Sequence, residues 1–192
     1  MSANDADPGW KLAIRGATRL FVPGAARQIT RRSPALIAMR TYVVGAIVQW
    51  TVFGAFLAVL SVDVHPTKGA LAVAILGVID LALISSFRRR ALPAEPKALR
   101  ASFAQSFFAG YAFAYLSVIF GLIGFFVVRR GHLLIYLAGL PCGGLGLAMI
   151  APTRARLERV QQRIRAQGST LSLVEVLNAA PDPPPERPRR RP

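Results

Sequence analysis

The sequence predicts an all-α, polytopic membrane protein: four transmembrane helices in two antiparallel hairpins, with short amphipathic cytoplasmic helices at both ends. Three observations carry that expectation. The first is four apolar runs, at 43–62, 69–87, 103–128 and 132–151, each 19 to 26 residues long. A bilayer's hydrocarbon core is about 30 Å thick and a helix rises about 1.5 Å per residue, so roughly 20 apolar residues cross it. A water-soluble helix needs one apolar stripe; these runs are apolar on every side. The second is composition, with 53% hydrophobic residues and a mean hydropathy of +0.42, against about 45–50% apolar in ordinary globular domains. The third is where the charge lies.

The net charge is +15. Seven basic residues precede the first run (Lys11, Arg15, Arg19, Arg27, Arg31, Arg32 and Arg40), five lie between the second and third, and nine follow the fourth. With four crossings these 21 share one side, against Lys68, Arg129 and Arg130 on the other. Basic residues near span ends favour the cytoplasmic face, so both termini are expected there. Topology accounts for the charge, and no nucleic-acid partner is expected. Arg outnumbers Lys 21 to 3 and Ala, Gly and Pro abound. That bias points to a GC-rich bacterial genome, hence to a bacterial inner (plasma) membrane. The first run begins only after 42 residues and lacks the pattern of a cleaved signal peptide.

The elements follow in order. Within the cytoplasmic segment 1–42, residues 10–22 form a helix with Trp10, Ala13, Ile14, Ala17, Leu20 and Phe21 on one face. Lys11, Arg15 and Arg19 line the other face, placed to meet anionic lipid headgroups. Pro23-Gly24 ends it. Ser33-Pro34 reads as an N-cap with proline at the first helical position, starting the first membrane helix. His65-Pro66 makes an outer turn. The 88–102 connection is basic, with Pro93 and Pro96 opposing one continuous helix. Arg129-Arg130-Gly131 leaves room only for a tight turn. Residues 152–180 read as two amphipathic helices. One runs from Pro152 to Gln167, with Leu157, Val160 and Ile164 between arginines and Gly168 after it; the other follows the capping-box pattern Ser172-x-x-Glu175. The 181–192 tail, PDPPPERPRRRP, is a disordered Pro/Arg segment.

Chemistry has few places to sit. Asp80 is the only acid inside any run, and a carboxylate near the bilayer centre costs about 2.5–3.5 kcal/mol on insertion scales. Counting from the flanking arginines, Asp80 is about 12 Å deep, Gln49 about 13 Å and Tyr111 about 16 Å. The three form a candidate intramembrane polar cluster. Two readings stay open: a neutral carboxyl hydrogen-bonded to Gln49 or a backbone carbonyl, tying helices together, or a group that exchanges a proton or binds a cation. Pro141, Gly143 and Gly144 mark either a helix break or a site of close packing. The chain has no HExxH, CxxC, P-loop or GxSxG motif, and its single cysteine, Cys142, lies inside a run. No metal, cofactor or enzymatic activity is therefore expected. The expected role is an accessory or scaffolding membrane component. The alternative is a small proton- or cation-linked transporter or channel protomer using Asp80. Besides the bilayer, the expected partner is a second copy of the chain or another membrane protein.

Overall fold

A computed structural model of the chain describes residues 9–18, 34–61, 68–87, 93, 95–127 and 132–179. Arg19, the rest of the first amphipathic stretch, the His65-Pro66 and 129–131 turns, the 88–90 arginines and the 181–192 tail lie outside the described residues. The elements are all helical: α1 (Lys11–Ala17), α2 (Ala35–Leu60), α3 (Lys68–Phe87), α4 (Pro96–Val127), α5 (Leu133–Ile150), α6 (Arg154–Ala166) and α7 (Leu173–Asn178). Four of them, α2 to α5, are long and apolar enough to cross a membrane.

Local chemistry explains the boundaries. α2 begins at Ala35, with Pro34 at the N-cap and its carbonyl accepting from Ala38 N–H at 3.0 Å. α4 begins at Pro96, because proline is tolerated where no backbone N–H is needed. The stretch expected as loop to residue 102 is therefore helical from Pro96 onward. At 32 residues α4 is about 48 Å long, so it overshoots the roughly 30 Å hydrocarbon layer. Gly168 ends α6 at φ +81°, and Ser169 N–H reaches back to the Ile164 carbonyl at 3.2 Å. That left-handed C-cap is one glycine adopts without strain. Ser172 Oγ accepts from Glu175 N–H at 3.5 Å at the start of α7.

The packing departs from two matched hairpins. α4 and α5 form the most extensive pair, and α3 packs against both of them rather than against its chain neighbour α2. Small residues set this arrangement. A Cβ at Gly110 would meet Ile150, at Gly121 the backbone of Ile135 and Tyr136, and at Gly146 Ala114 and Ile84. Those contacts run in opposite directions along α4 and α5, so the two are antiparallel. Without a hydrophobic force between helices in lipid, such close approach is what gives three helices a common core. α2 leans on α4 and α5 over a smaller area.

At one end of the bundle the short helices gather. α7 packs on α2, α4 and α6, burying Leu173 and Leu177, while α6 buries Leu157 and Ile164 in the same core as Leu36, Met39 and Leu99. The Gln161 amide joins the pair: Nε2 donates to the Leu171 carbonyl at 2.7 Å, and Oε1 accepts from Leu173 N–H at 2.7 Å. α1 packs on α2 through Ala13 and Ala17. Ile14, expected on that face, is 56% exposed beside Leu12. The reason is steric: at Gly16 a Cβ would sit 3.0 Å from Thr41 Oγ1, so α1 approaches on its smallest side chains.

Candidate functional site

The polar residues singled out from the sequence fall into separate sites. Asp80 sits where α3, α4 and α5 converge, 7% exposed, and its Oδ2 accepts from Ser117 Oγ at 2.8 Å. Backbone geometry creates that junction. A Cβ at Gly139 would collide with the Ser117 carbonyl, and one at Gly77 would lie 2.5 Å from Cys142 Cβ. Both glycines draw neighbouring helices onto the turn of α4 that carries Ser117. The hydroxyl is itself 1% exposed.

Gln49 is engaged elsewhere: its Oε1 accepts from Tyr115 O–H at 2.7 Å. Tyr111 does not meet Asp80 but belongs to an aromatic stack, 4.9 Å from the Tyr115 ring and 5.7 Å from Tyr42 between centroids. Tyr115 and Ser117 are two residues apart, hence about 200° around α4. Gln49 and Asp80 consequently attach to opposite sides of one helix, and equal depth did not bring them together. A further tie joins α2 to α5, as Tyr136 O–H donates to the Trp50 carbonyl at 2.8 Å.

Pro141, Gly143 and Gly144 lie within a continuous α5, so this stretch is not an unwound segment. Gly143 packs closely: a Cβ there would be 2.6 Å from Val118 Cγ2 and 3.0 Å from the Ala114 carbonyl. Gly144 faces the other way, with nothing among the described residues within 4 Å of its own hypothetical Cβ. It opens onto an apolar groove of about 580 Å³ between α2 and α5.

The residue that sequence reasoning missed most clearly is Arg40. Read as a marker of the membrane boundary, it is 1% exposed. Its Nε and Nη2 donate to the Pro152 carbonyl, each at 3.2 Å, and Nη1 donates to the Gly9 carbonyl at 2.9 Å. The guanidinium also lies 5.2 Å from the Trp10 ring centroid. One side chain thus joins α2, the entry to α1 and the corner between α5 and α6. A delocalised, weakly hydrated fork suits such a site better than an ammonium would. Arg156, one of the arginines flanking the apolar stripe of α6, is also buried and lies 5.5 Å from the Phe103 ring centroid.

Around this knot the surface is cationic. Lys11 and Arg15 are exposed on α1, and Arg154, Arg159, Arg163 and Arg165 on α6. Arg154 pairs with Glu158 at 2.9 Å, an i,i+4 contact between two largely exposed side chains. Among the described residues no three His, Cys, Asp or Glu side chains are grouped to hold a metal ion. Comparison of the chain with protein-family models, with curated proteins and with solved structures gives no match.

Proposed function

We propose that this protein is a non-enzymatic accessory or scaffolding component of a bacterial inner membrane. It would cross the bilayer as α2 to α5, with α1, α6 and α7 on the cytoplasmic side. The observation that carries this reading is the use to which the buried and partly buried polar groups are put. Ser117–Asp80, Tyr115–Gln49 and Tyr136–Trp50 each join two different helices, and Arg40 fastens both terminal segments to the bundle. Polar chemistry spent on fixing helices favours a rigid platform, and the exposed arginines of α6 favour an acidic surface as its partner.

The test is co-purification of the full chain in mild detergent, compared with Arg159→Glu/Arg163→Glu. Both side chains are exposed, so the fold is expected to survive while a defined partner is lost. A chain that purifies alone in every mild detergent contradicts the platform. Orientation is tested by cysteine labelling at 65 and 95 in a Cys142→Ala background. A membrane-impermeant reagent is expected to reach only the first from outside the cell.

The second reading, a proton- or cation-linked transporter protomer, is favoured by one feature: an acid held inside the span region at a three-helix junction. Asp80→Asn keeps the shape and removes the charge. Ion-dependent flux in proteoliposomes that is lost in this variant supports transport; flux that is absent, or unchanged by the substitution, eliminates it.

A further inference from the structure

The groove between α2 and α5 has a shape and a setting that select its occupant. It runs from Val43 and Ala151 at the end bearing the terminal helices to Ala55 and Leu140 further along. The twelve helical steps from Val43 to Ala55 make it about 18 Å long, close to the depth of one bilayer leaflet, about half of 30 Å. Its volume, about 580 Å³, lies within the roughly 300–1,000 Å³ range of small-molecule sites. The two side chains in its wall that carry polar atoms withhold them. Thr51 Oγ1 is turned onto the Ile47 carbonyl at 2.9 Å, and Trp50 Nε1 is buried without a hydrogen-bond partner among the described residues. What remains is a hydrocarbon surface floored by Gly54, Gly144 and Ala148.

At its charged end the groove meets the start of α6. Arg154 stands three residues beyond Ala151, largely exposed and paired with Glu158 by an i,i+4 contact that solvent weakens. Thr153 supplies no side-chain cap, and no acidic residue stands in the first turn, so the positive end of a 13-residue helix faces the same level. A leaflet-long apolar slot whose lining ends three residues before an exposed arginine matches one molecule in two parts.

We propose that this groove is a binding site for an anionic phospholipid, with one acyl chain along α2 and α5 and the phosphate at Arg154. The alternative occupant, a second copy of the chain, would lay a helix where the acyl chain lies. A lipid wedged there would complete the contact that α2 makes only sparingly with α5, and would make the seating of α2 depend on the anionic content of the membrane. The site does not depend on the scaffold reading, since it concerns this chain and its bilayer alone.

The test uses Trp50 as reporter, in a full-length Trp10→Phe chain reconstituted into phosphatidylcholine vesicles. Phospholipids brominated at mid-chain quench indole fluorescence on contact. Brominated phosphatidylglycerol is expected to quench Trp50 at about fivefold lower mole fraction than brominated phosphatidylcholine, the preference one basic side chain confers. Gly144→Leu fills the groove where no atom opposes it, and should abolish both the preference and most of the quenching. Arg154→Gln should equalise the headgroups while chain quenching persists. Two results overturn the proposal. One is quenching that tracks bulk mole fraction for both headgroups and ignores Gly144→Leu. The other is efficient disulfide dimerisation through Ala148→Cys in a Cys142→Ala background, which assigns the groove to a second copy.

Discussion

The two faces of α5 use opposite solutions to the same difficulty. Toward α3 and α4 it offers Gly139, Gly143 and Gly146, which let the Ser117 and Ala114 backbone and the Val118 and Ile84 side chains approach closely. Toward α2 it offers Leu140, Gly144, Leu147 and Ala148, which leave a groove open. In water both faces would collapse, because burial alone stabilises contact. In lipid the tails are as apolar as leucine, so association rests on fit and on hydrogen bonds. The first face has fit. On the second, α2 is held by discrete polar ties, Tyr136 to the Trp50 carbonyl and Arg40 to the Pro152 carbonyl just past α5, while Gln49 is tied to Tyr115 of α4.

That contrast is breakable at named positions. Among the largest expected effects is that at Gly121, where a Cβ would lie 3.0 Å from the Ile135 carbonyl and from Tyr136 Cα and carbonyl. Backbone has nowhere to go, so Gly121→Leu is expected to cost about 3 kcal/mol, measured by SDS unfolding in bicelles. Next comes Arg40→Gln, which removes the guanidinium from one buried and one part-buried carbonyl and from an aromatic ring. About 2 kcal/mol is expected, together with faster proteolysis at Lys11 while the α3–α4–α5 core persists. If cleavage there is unchanged, Arg40 does not hold the N-terminal segment.

Smaller effects separate the two polar ties on α4. Ser117→Ala leaves a buried carboxyl without its donor and is expected to cost about 1 kcal/mol, because Asp80 is enclosed by three helices. Tyr115→Phe removes one bond between partly buried groups, worth about 0.6 kcal/mol in the average membrane cycle. Equal losses would mean that the Asp80 junction is no more enclosed than the aromatic side of α4.

Much of this was readable in the chain. Hydropathy located α2, α3 and α5 to within a few residues of their expected limits, apart from the N-terminal extension of α2 that Ser33-Pro34 announced, and Gly168 marked the end of α6. Pairing was not readable, and the cause is physical. A helix apolar on every side carries no stripe that points to its neighbour, so chain order suggested two hairpins where α3 in fact joins α4 and α5. The signal that does point lies in small residues. Gly110, Ala114, Ser117 and Gly121 recur at four-, three- and four-residue intervals, one line along α4, and Ser117 sits on it. Reading that line would have located the donor to Asp80. Reading depth alone grouped Asp80 with Gln49 and Tyr111, because depth fixes height along a helix and says nothing of its side. Arg40 misled for a related reason: charge at a membrane edge normally marks water, but here three backbone regions enclose it.

The most direct test of the contrast compares two substitutions of the same kind in one helix, Gly139→Leu and Gly144→Leu, each in lipid nanodiscs under SDS titration. Gly139 abuts the Ser117 backbone and Gly144 faces open space, so the first is expected to lose about 3 kcal/mol and the second to unfold with the unsubstituted chain. Equal destabilisation, or a Gly139→Leu chain as stable as its parent, would contradict the account.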